Sequence, residues 1–310
     1  MSTKKSNPKR NHHELPELYL RGFCDGSFLW IYERGKTYTP GIKKYKSNPC
    51  RRGVVEIAEK DRYASVMSDG TRDFEFYENR LEKIEKTADD ILRKIHSQTP
   101  ITSNEKGIFA AYIQNLYKRT KEREKKISPL LDDKIQKSRQ WWNNIALSSA
   151  LNGKFEIARK YYDVSKYLES DDVKKYLTFE SMANHYPILQ QTIQSMSWTF
   201  YVAASDSYFV TSSAPVAFDP VVGLSVSPLL FPVSKNIALI ATHDEGTDLE
   251  FKNTSSDETL MINFYTIENA PSVYASKPES WVWEILERRL AMTENQLLAR
   301  KKLLPSRTDG

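Results

Sequence analysis

The sequence has little of what marks a secreted or membrane-spanning protein. It holds two cysteines, Cys24 and Cys50, in 310 residues, far sparser than a secreted disulfide framework. No apolar run reaches the ~18 residues that a membrane-spanning helix needs. The N-terminal stretch MSTKKSNPKRNHHE lacks the apolar region of a signal peptide. We therefore expect reduced thiols, no membrane partner and a cytoplasmic location.

Several familiar catalytic motifs are also missing. There is no CxxC pair, and none of the five histidines stands in an HExxH spacing, so a structural zinc site is not indicated. No GxSxG elbow is present, which argues against a serine nucleophile. Without a P-loop or a GxGxxG motif, the sequence indicates no nucleotide cofactor. A divalent metal held by carboxylates is the one cofactor that stays open.

The basic charge of the chain is concentrated near its beginning. Residues 1–52 hold 12 Lys and Arg against 4 Asp and Glu, whereas the remainder holds 33 against 36. Such an asymmetry is typical either of a solvated tail or of a segment that contacts nucleic acid or phosphate. Both interpretations remain open at this point.

Hydrophobic periodicity predicts an α+β fold. The clearest helix covers residues 73–97, where five apolar residues step along one face: Leu81, Ile84, Ala88, Ile91 and Ile95. Further helices are predicted over residues 103–127, 129–150, 154–168, 171–197, 256–269 and 279–302. Strands are predicted over residues 198–203, 208–212, 235–241 and 272–276. A β-hairpin is expected around Glu33–Lys36, and a second one turns at Asp206-Ser207.

The order of these elements predicts the domain organisation. The early hairpin joins the later strands in one small sheet, and this sheet packs on a helical bundle. Residues 1–11 are expected to be a disordered tail, and residues 12–304 a single α+β domain. A helix-rich insert occupies residues 73–197 of that domain.

Five sequence blocks resemble those of a known family. Residues 13–23 (HELPELYLRGF) are similar to an HxxPxxYLxxF signature, and residues 29–34 (LWIYER) to an aromatic strand ending in an acidic-basic pair. Glu78 and Glu85 stand where the family has paired glutamates on a long helix. Arg119-Thr120 resembles an RT element, and residues 209–216 (FVTSSAPV) resemble an FxTSDxPV block. The family is the bacterial one known as domain of unknown function 4238, so the resemblance implies no established activity.

The chain departs from the family pattern at two positions. Ser213 stands where relatives commonly have Asp, and Glu14 stands where they prefer an apolar or aromatic residue. If the missing carboxylate is catalytic in relatives, the resemblance implies an altered or inactive site here. This shifts weight from an enzyme toward a binding protein.

Charged side chains on two predicted helices suggest where chemistry could lie. At 100° per residue, Glu85 and Glu78 share the rim of the buried face of the first long helix. Arg119 and Arg123 continue the apolar stripe of the next helix, and buried charge is costly unless it is paired. The four residues could form a structural ion-pair network. Alternatively, they could line a pocket in which the arginines bind an anion and the glutamates hold a metal or act as acid or base.

Three further residues complete the candidate site. His13 is either a backbone-bonded residue at a helix start or a proton-transfer residue or ligand. Thr211 and Ser212 belong to a hydroxyl cluster that either forms a turn or contacts an anion. The resulting hypothesis is a phosphate-handling hydrolase, in its most specific form a metal-dependent nuclease acting on nucleic acid. The alternatives are a non-catalytic module that binds an anionic or phosphorylated ligand or a partner protein, and a purely structural protein. The sequence leaves open whether the chain is an enzyme.

Overall fold

A computed structural model describes most of the chain. The described residues are 11–12, 15–34, 50–53, 59–60, 65–66, 72–73, 76–170, 173–174, 177–178, 186–218, 228–243, 246–268 and 270–287. The eight helices named here are α1 Glu17–Arg21, α2 Phe76–His96, α3 Ser103–Lys118, α4 Lys121–Leu151, α5 Phe155–Tyr167, α6 Pro187–Ser195, α7 Ser256–Ile267 and α8 Ser280–Leu286. The strands are β1 Asn11–His12, β2 Phe28–Glu33, β3 Cys50–Gly53, β4 Glu59–Lys60, β5 Ser65–Val66, β6 Arg72–Asp73, β7 Ser197–Val202, β8 Thr211–Ser212, β9 Leu229–Pro232, β10 Ile237–Thr242, β11 Glu250–Asn253 and β12 Ser272–Ala275.

The chain forms two compact units. The first unit comprises Met1–His12, Lys60–Leu81 and Lys121–Asn184, and the second comprises His13–Glu59, Glu82–Thr120 and His185–Gly310. In the first unit, α4 and α5 form a helical hairpin in which the ring of Trp142 lies 5.4 Å from that of Tyr161. The second unit contains both four-stranded sheets.

The α3 helix begins and ends at other residues than the sequence predicted. Thr102, rather than Ser103, is its N-cap: the Thr102 side chain accepts from the Glu105 amide, and the Glu105 side chain accepts from the Thr102 amide. The helix ends at Lys118 and does not run on to residue 127. Arg119 is the C-cap residue, and a new helix, α4, starts at Lys121. The predicted stripe is therefore interrupted directly after its first arginine.

One four-stranded sheet of the second unit has the order β11-β7-β10-β9. Its central strand β10 pairs antiparallel with β7 and β9, while β11 pairs parallel with β7. The strand β10 reads as the continuous apolar and buried run IALIA followed by the half-buried Thr242, as expected for a strand covered on both faces. The predicted hairpin at Asp206-Ser207 is wrong, because the neighbours of β7 are β10 and β11 rather than β8.

The other four-stranded sheet joins the beginning of the chain to its end. Its order is β3-β2-β12-β8, so β2 pairs with β3 on one side and with β12 on the other. The α+β class and the joining of N-terminal strands to later strands are confirmed. The later strands divide between two four-stranded sheets, where one small sheet was expected.

A single cluster of buried side chains fills much of the second unit. It draws apolar residues from α1, α2, α3, α6, β2, β7, β9 and β10. The Phe109 ring of α3 lies 6.1 Å from that of Trp198 in β7 and 6.2 Å from that of Phe231 in β9. This contact holds the inner face of α3 against the first sheet. Among the described residues, no helix has the length and apolarity to cross a membrane.

Two cations in the second unit, the half-buried Arg34 and the buried Lys106, have structural roles. The Arg34 guanidinium follows β2 and donates to four carbonyl oxygens around the end of α7 and α8, at 2.5 to 3.3 Å: those of Ile267, Glu268, Ala270 and Leu286. Carbonyls at a helix C-terminus lack intrahelical partners, so a cation there stabilises the end. Lys106 donates to the carbonyl of Met196 at 2.7 Å and to the Asp248 carboxylate at 2.7 and 2.9 Å.

Candidate functional site

One face of α3 changes from apolar to polar toward its C-terminus. Tyr112, Asn115 and Arg119 follow each other at spacings of three and four residues, so they lie along one side of the helix. All three residues are buried. Polar groups in such positions are stable only when they find partners, so this row indicates where buried polar chemistry is concentrated.

The last residue of the row is paired with a glutamate from α2. The Nη1 atom of Arg119 donates to Oε1 of Glu85 at 2.6 Å. The Arg119 side chain is 3% exposed, whereas that of Glu85 is 21% exposed. The predicted pairing of these two residues is confirmed. Its carboxylate half faces solvent more than its guanidinium half does.

The Tyr112 hydroxyl lies deep in the second unit. Its ring stacks on Phe109 with centroids 5.6 Å apart, and among the described residues its oxygen has no hydrogen-bond partner. Burial raises the pKa of Tyr112 well above its ordinary value, and the negative charge of Glu85 adds to this shift, while Arg119 opposes it. The hydroxyl is therefore within electrostatic range of the ion pair.

Asn115 presents a second buried polar atom. Its side-chain Oδ1 is buried and has no hydrogen-bond partner among the described residues. A carbonyl oxygen accepts only, so within the described part of the chain this atom is left without a donor. Asn115 stands about one turn and Tyr112 about two turns before Arg119, and each carries an unsatisfied buried polar atom.

A tyrosine of α1 and a threonine of β8 connect two segments that lie far apart in the sequence. The Tyr19 hydroxyl donates to the carbonyl of Pro232 at 2.7 Å and lies 2.6 Å from Oγ1 of Thr211. Since a hydroxyl has one proton to donate, Thr211 is the donor in the second contact. Burial raises the pKa of Tyr19, and this hydrogen bond opposes the rise. Electrostatic interaction with Tyr19 also contributes to the raised pKa of Tyr112.

The two serines after Thr211 differ in their environment. Ser212 Oγ accepts from the backbone amide of Ala214 at 3.3 Å, which fits the predicted turn role. The Ser213 amide donates to the carbonyl of Ser272 at 2.9 Å. Its Oγ is buried and has no partner among the described residues. The position that departs from the family pattern is thus a buried one.

The structure brings together part of the predicted site, because Glu85 and Arg119 form an ion pair. Arg123 is a half-buried residue of α4 in the first unit and does not continue the α3 row. Glu78 is in α2, but its side chain lies outside the described part of the chain, and His13 lies outside it altogether. Their predicted roles stay predictions.

Two residues of the site were missed as functional candidates. Tyr112 belongs to the apolar stripe of the predicted helix over residues 103–127, and neither its hydroxyl nor Asn115 is among the predicted site residues. The sequence did contain a signal for Asn115. This asparagine lies at helical spacing between Tyr112 and Arg119, where it interrupts an otherwise apolar helix face. Among the described side chains, no group of three or more His, Cys, Asp and Glu residues could hold a metal ion. A metal site at Glu85 would need further ligands from Glu78 or from another side chain outside the described part of the chain.

The family blocks meet within this structure. Tyr19 from the first block bonds Thr211 from the last, and Glu85 pairs with Arg119 of the RT element. The family model of proteins of unknown function known as DUF4238 matches residues 11–279. The chain belongs to this family. No curated protein and no solved structure matches the chain. In this DUF4238 protein, residues of these motifs form two polar contacts, one between Tyr19 and Thr211 and one between Arg119 and Glu85.

Proposed function

We propose that the chain is a binding module for a small anionic ligand, whose phosphate or carboxylate group is received by Arg119. The observation that supports this most is the asymmetry of the ion pair, a buried guanidinium whose carboxylate partner is partly exposed. A planar guanidinium suits phosphate and carboxylate oxygens because it can donate two parallel hydrogen bonds. Glu85 then acts as an internal carboxylate that occupies the place of the ligand's anion.

Replacing the Glu85 carboxylate by the anion of a ligand keeps the charge of the Arg119 guanidinium paired. Removing a partner from a buried arginine is costly, because an unpaired charge in a poorly solvated place is unstable. An incoming anion replaces the carboxylate as it leaves, so the guanidinium stays paired. Glu85 can move outward into solvent, which lowers the cost of releasing it. The proposed ligand is accordingly one that competes with a carboxylate for the same donors.

A phosphate-handling hydrolase, with a metal-dependent nuclease as its specific form, is the second candidate. It is favoured by the position of the Glu85 carboxylate, 2.6 Å from a guanidinium and partly open to solvent. Such a carboxylate could take a proton from an attacking water while Arg119 binds the phosphate. In this case Glu85→Gln abolishes hydrolysis of single- or double-stranded nucleic acid in Mg²⁺ or Mn²⁺ while the fold is retained. Wild-type turnover in that variant would contradict the hydrolase.

The binding proposal is tested by thermal unfolding in inorganic phosphate and in chloride at equal ionic strength. A ligand that binds only the folded state raises its stability by mass action, by about 2.7 kcal/mol at a hundred times Kd. We expect phosphate to raise the Tm of the wild type. The rise should be smaller in Arg119→Lys, because lysine keeps the charge but loses the two-pronged geometry.

The matched control is Arg93→Lys. Arg93 is an exposed residue of α2, paired with Asp89 one turn away. This variant should keep the full phosphate effect of the wild type. An equal rise in all three proteins would show a general salt effect, and no rise in the wild type would contradict anion binding directly.

A further inference from the structure

We infer that the ligand received by Arg119 is a hydroxylated phosphate or carboxylate, of the sugar-phosphate class, whose hydroxyl group donates to the side-chain carbonyl of Asn115. This inference rests on the proposed function and adds the chemical class of the ligand. It follows from the two unsatisfied atoms on the α3 face, Oδ1 of Asn115 and the hydroxyl of Tyr112.

A fully ionised anion by itself cannot satisfy the Asn115 oxygen. The oxygens of a carboxylate or of a phosphate ester dianion only accept hydrogen bonds, and Oδ1 of Asn115 also only accepts. Leaving such a buried acceptor unsatisfied costs about 1–3 kcal/mol. A ligand that fills the site must therefore bring an O–H or N–H group in addition to its anion.

The geometry of α3 sets the distance between the two ligand groups. Asn115 and Arg119 are four residues apart, which corresponds to about 6 Å along a helix axis. Arg119 is the C-cap residue of α3, so it directly follows the last turn of the helix, which contains Asn115. A donor on the order of 6 Å or less from the anion fits this spacing. Hydroxyls two or three bonds from a phosphate ester meet it, as they do in sugar phosphates and polyol phosphates.

Tyr112 carries a second buried polar group that a ligand hydroxyl could satisfy. Its hydroxyl can both donate and accept a hydrogen bond, and the residue stands one turn before Asn115 on the same face of α3. A ligand hydroxyl that donates to Asn115 can accept from Tyr112, so that one hydroxyl satisfies both buried groups. A buried water could satisfy them in the empty protein, since water also donates and accepts. If water alone satisfied these groups, the protein would not prefer a phosphate ester with hydroxyl groups over one without them.

The experiment compares two phosphate esters that differ only in hydroxyl groups. Glycerol 1-phosphate and propyl phosphate have the same carbon chain and the same anion, and inorganic phosphate serves as the third probe. Calorimetric titration of the full chain should show glycerol 1-phosphate binding about tenfold more tightly than propyl phosphate, because a site built to bond a hydroxyl rejects the analogue that lacks it.

Asn115→Leu is the informative variant. It removes the acceptor and keeps the branching of the side chain at Cγ, and replacing an unsatisfied buried polar group by an apolar one is well tolerated. The preference for glycerol 1-phosphate over propyl phosphate should fall to less than about twofold. Tyr112→Phe keeps the ring and should reduce the preference in part, so it serves if Asn115→Leu does not fold.

The outcomes separate this inference from the proposed function. If phosphate binds but the two esters bind equally, or if Asn115→Leu keeps the preference, the hydroxyl contact is refuted and anion binding stands. If none of the three probes binds the wild type, the proposed function fails as well.

Discussion

The bond between Tyr19 and Thr211 supports a prediction about stability that can be worked out in detail. Tyr19→Phe removes one oxygen and leaves the ring in place. The ring packs on Phe231 at 5.4 Å and on Phe23 at 5.2 Å, and these contacts are unaffected. The measured loss therefore reports on the hydroxyl alone.

The magnitude follows from the two partners that the hydroxyl leaves behind. The Pro232 carbonyl loses its donor at 2.7 Å, and the buried Thr211 hydroxyl loses its acceptor at 2.6 Å. Each unsatisfied buried group costs about 1–3 kcal/mol, but the geometry relaxes and the two costs overlap. We expect Tyr19→Phe to lower the free energy of unfolding by about 2 kcal/mol.

The assay must follow the unit that contains the bond. Trp30, Trp198, Trp281 and Trp283 belong to the second unit, and Trp141 and Trp142 belong to the first. Urea denaturation followed by tryptophan fluorescence, in a background with Trp141→Phe and Trp142→Phe, therefore reports the second unit. The midpoint should fall without a change in slope, since the buried area is conserved.

A double-mutant cycle can refute this reasoning. Valine has nearly the same shape as threonine, so Thr211→Val removes the hydroxyl partner of Tyr19 and little else. If the bond exists, Tyr19→Phe should cost at least 1 kcal/mol less in the Thr211→Val background than in the wild type, in the range of coupling for contacting residues. A loss below about 0.5 kcal/mol for Tyr19→Phe, as for a surface substitution, would refute the reasoning.

Three other predictions concern the rest of the second unit. Arg34→Met should lower the free energy of unfolding by about 2–3 kcal/mol in the same urea assay, because it removes charge-assisted bonds to the end of α7, whereas Arg21→Met, on the surface, should cost less than about 0.5 kcal/mol. Asp248→Asn should cost about 1–2 kcal/mol, because it leaves the buried Lys106 ammonium without its counter-charge although Asp248 itself is half exposed. Burial raises the pKa of Tyr112 above 10.0, its ordinary value. The contribution of its neutral hydroxyl to the free energy of unfolding is therefore complete below pH 10.0, and it is lost as the pH rises further, because the unfolded chain releases the proton more readily. A stability profile from pH 9 to 11 should therefore fall less steeply in Tyr112→Phe.

The part of the site that could be predicted from sequence is the part set by local periodicity. The apolar steps in residues 73–97 placed Glu85 at the edge of a buried face, and Arg119 on the α3 stripe needed a partner. Both statements depend only on helical spacing and on the cost of burying charge. The pair observed between these residues is their direct consequence.

The break after Lys118 could not be read from the sequence. Residues 118–121 contain neither proline nor glycine, so no local signal ends the helix there. The turn is set by tertiary packing, which buries both Arg119 and Thr120. As a result, Arg123 belongs to a different helix, and the predicted pair of clamp arginines does not lie on a single helix face.

Strand pairing was likewise beyond local reasoning. The sequence indicated strands near residues 198–203 and 208–212, and their proximity suggested a hairpin. In the structure, β7 pairs with β10 and β11, and β8 pairs with β12, so each strand finds partners farther along the chain. Register between distant strands depends on which apolar faces pack together, and spacing in the sequence does not encode it.

The most direct test of the account is the affinity of inorganic phosphate for Glu85→Gln, measured by calorimetric titration beside the wild type. In the proposed binding mode, the Glu85 carboxylate competes with the ligand for Arg119. Removing its charge should therefore tighten phosphate binding by about tenfold, equivalent to about 1.4 kcal/mol. Glu82→Gln, which neutralises an exposed residue of the same helix, should leave the affinity unchanged. If phosphate binds Glu85→Gln no more tightly than the wild type, Arg119 is not the anion site and the central claim is contradicted.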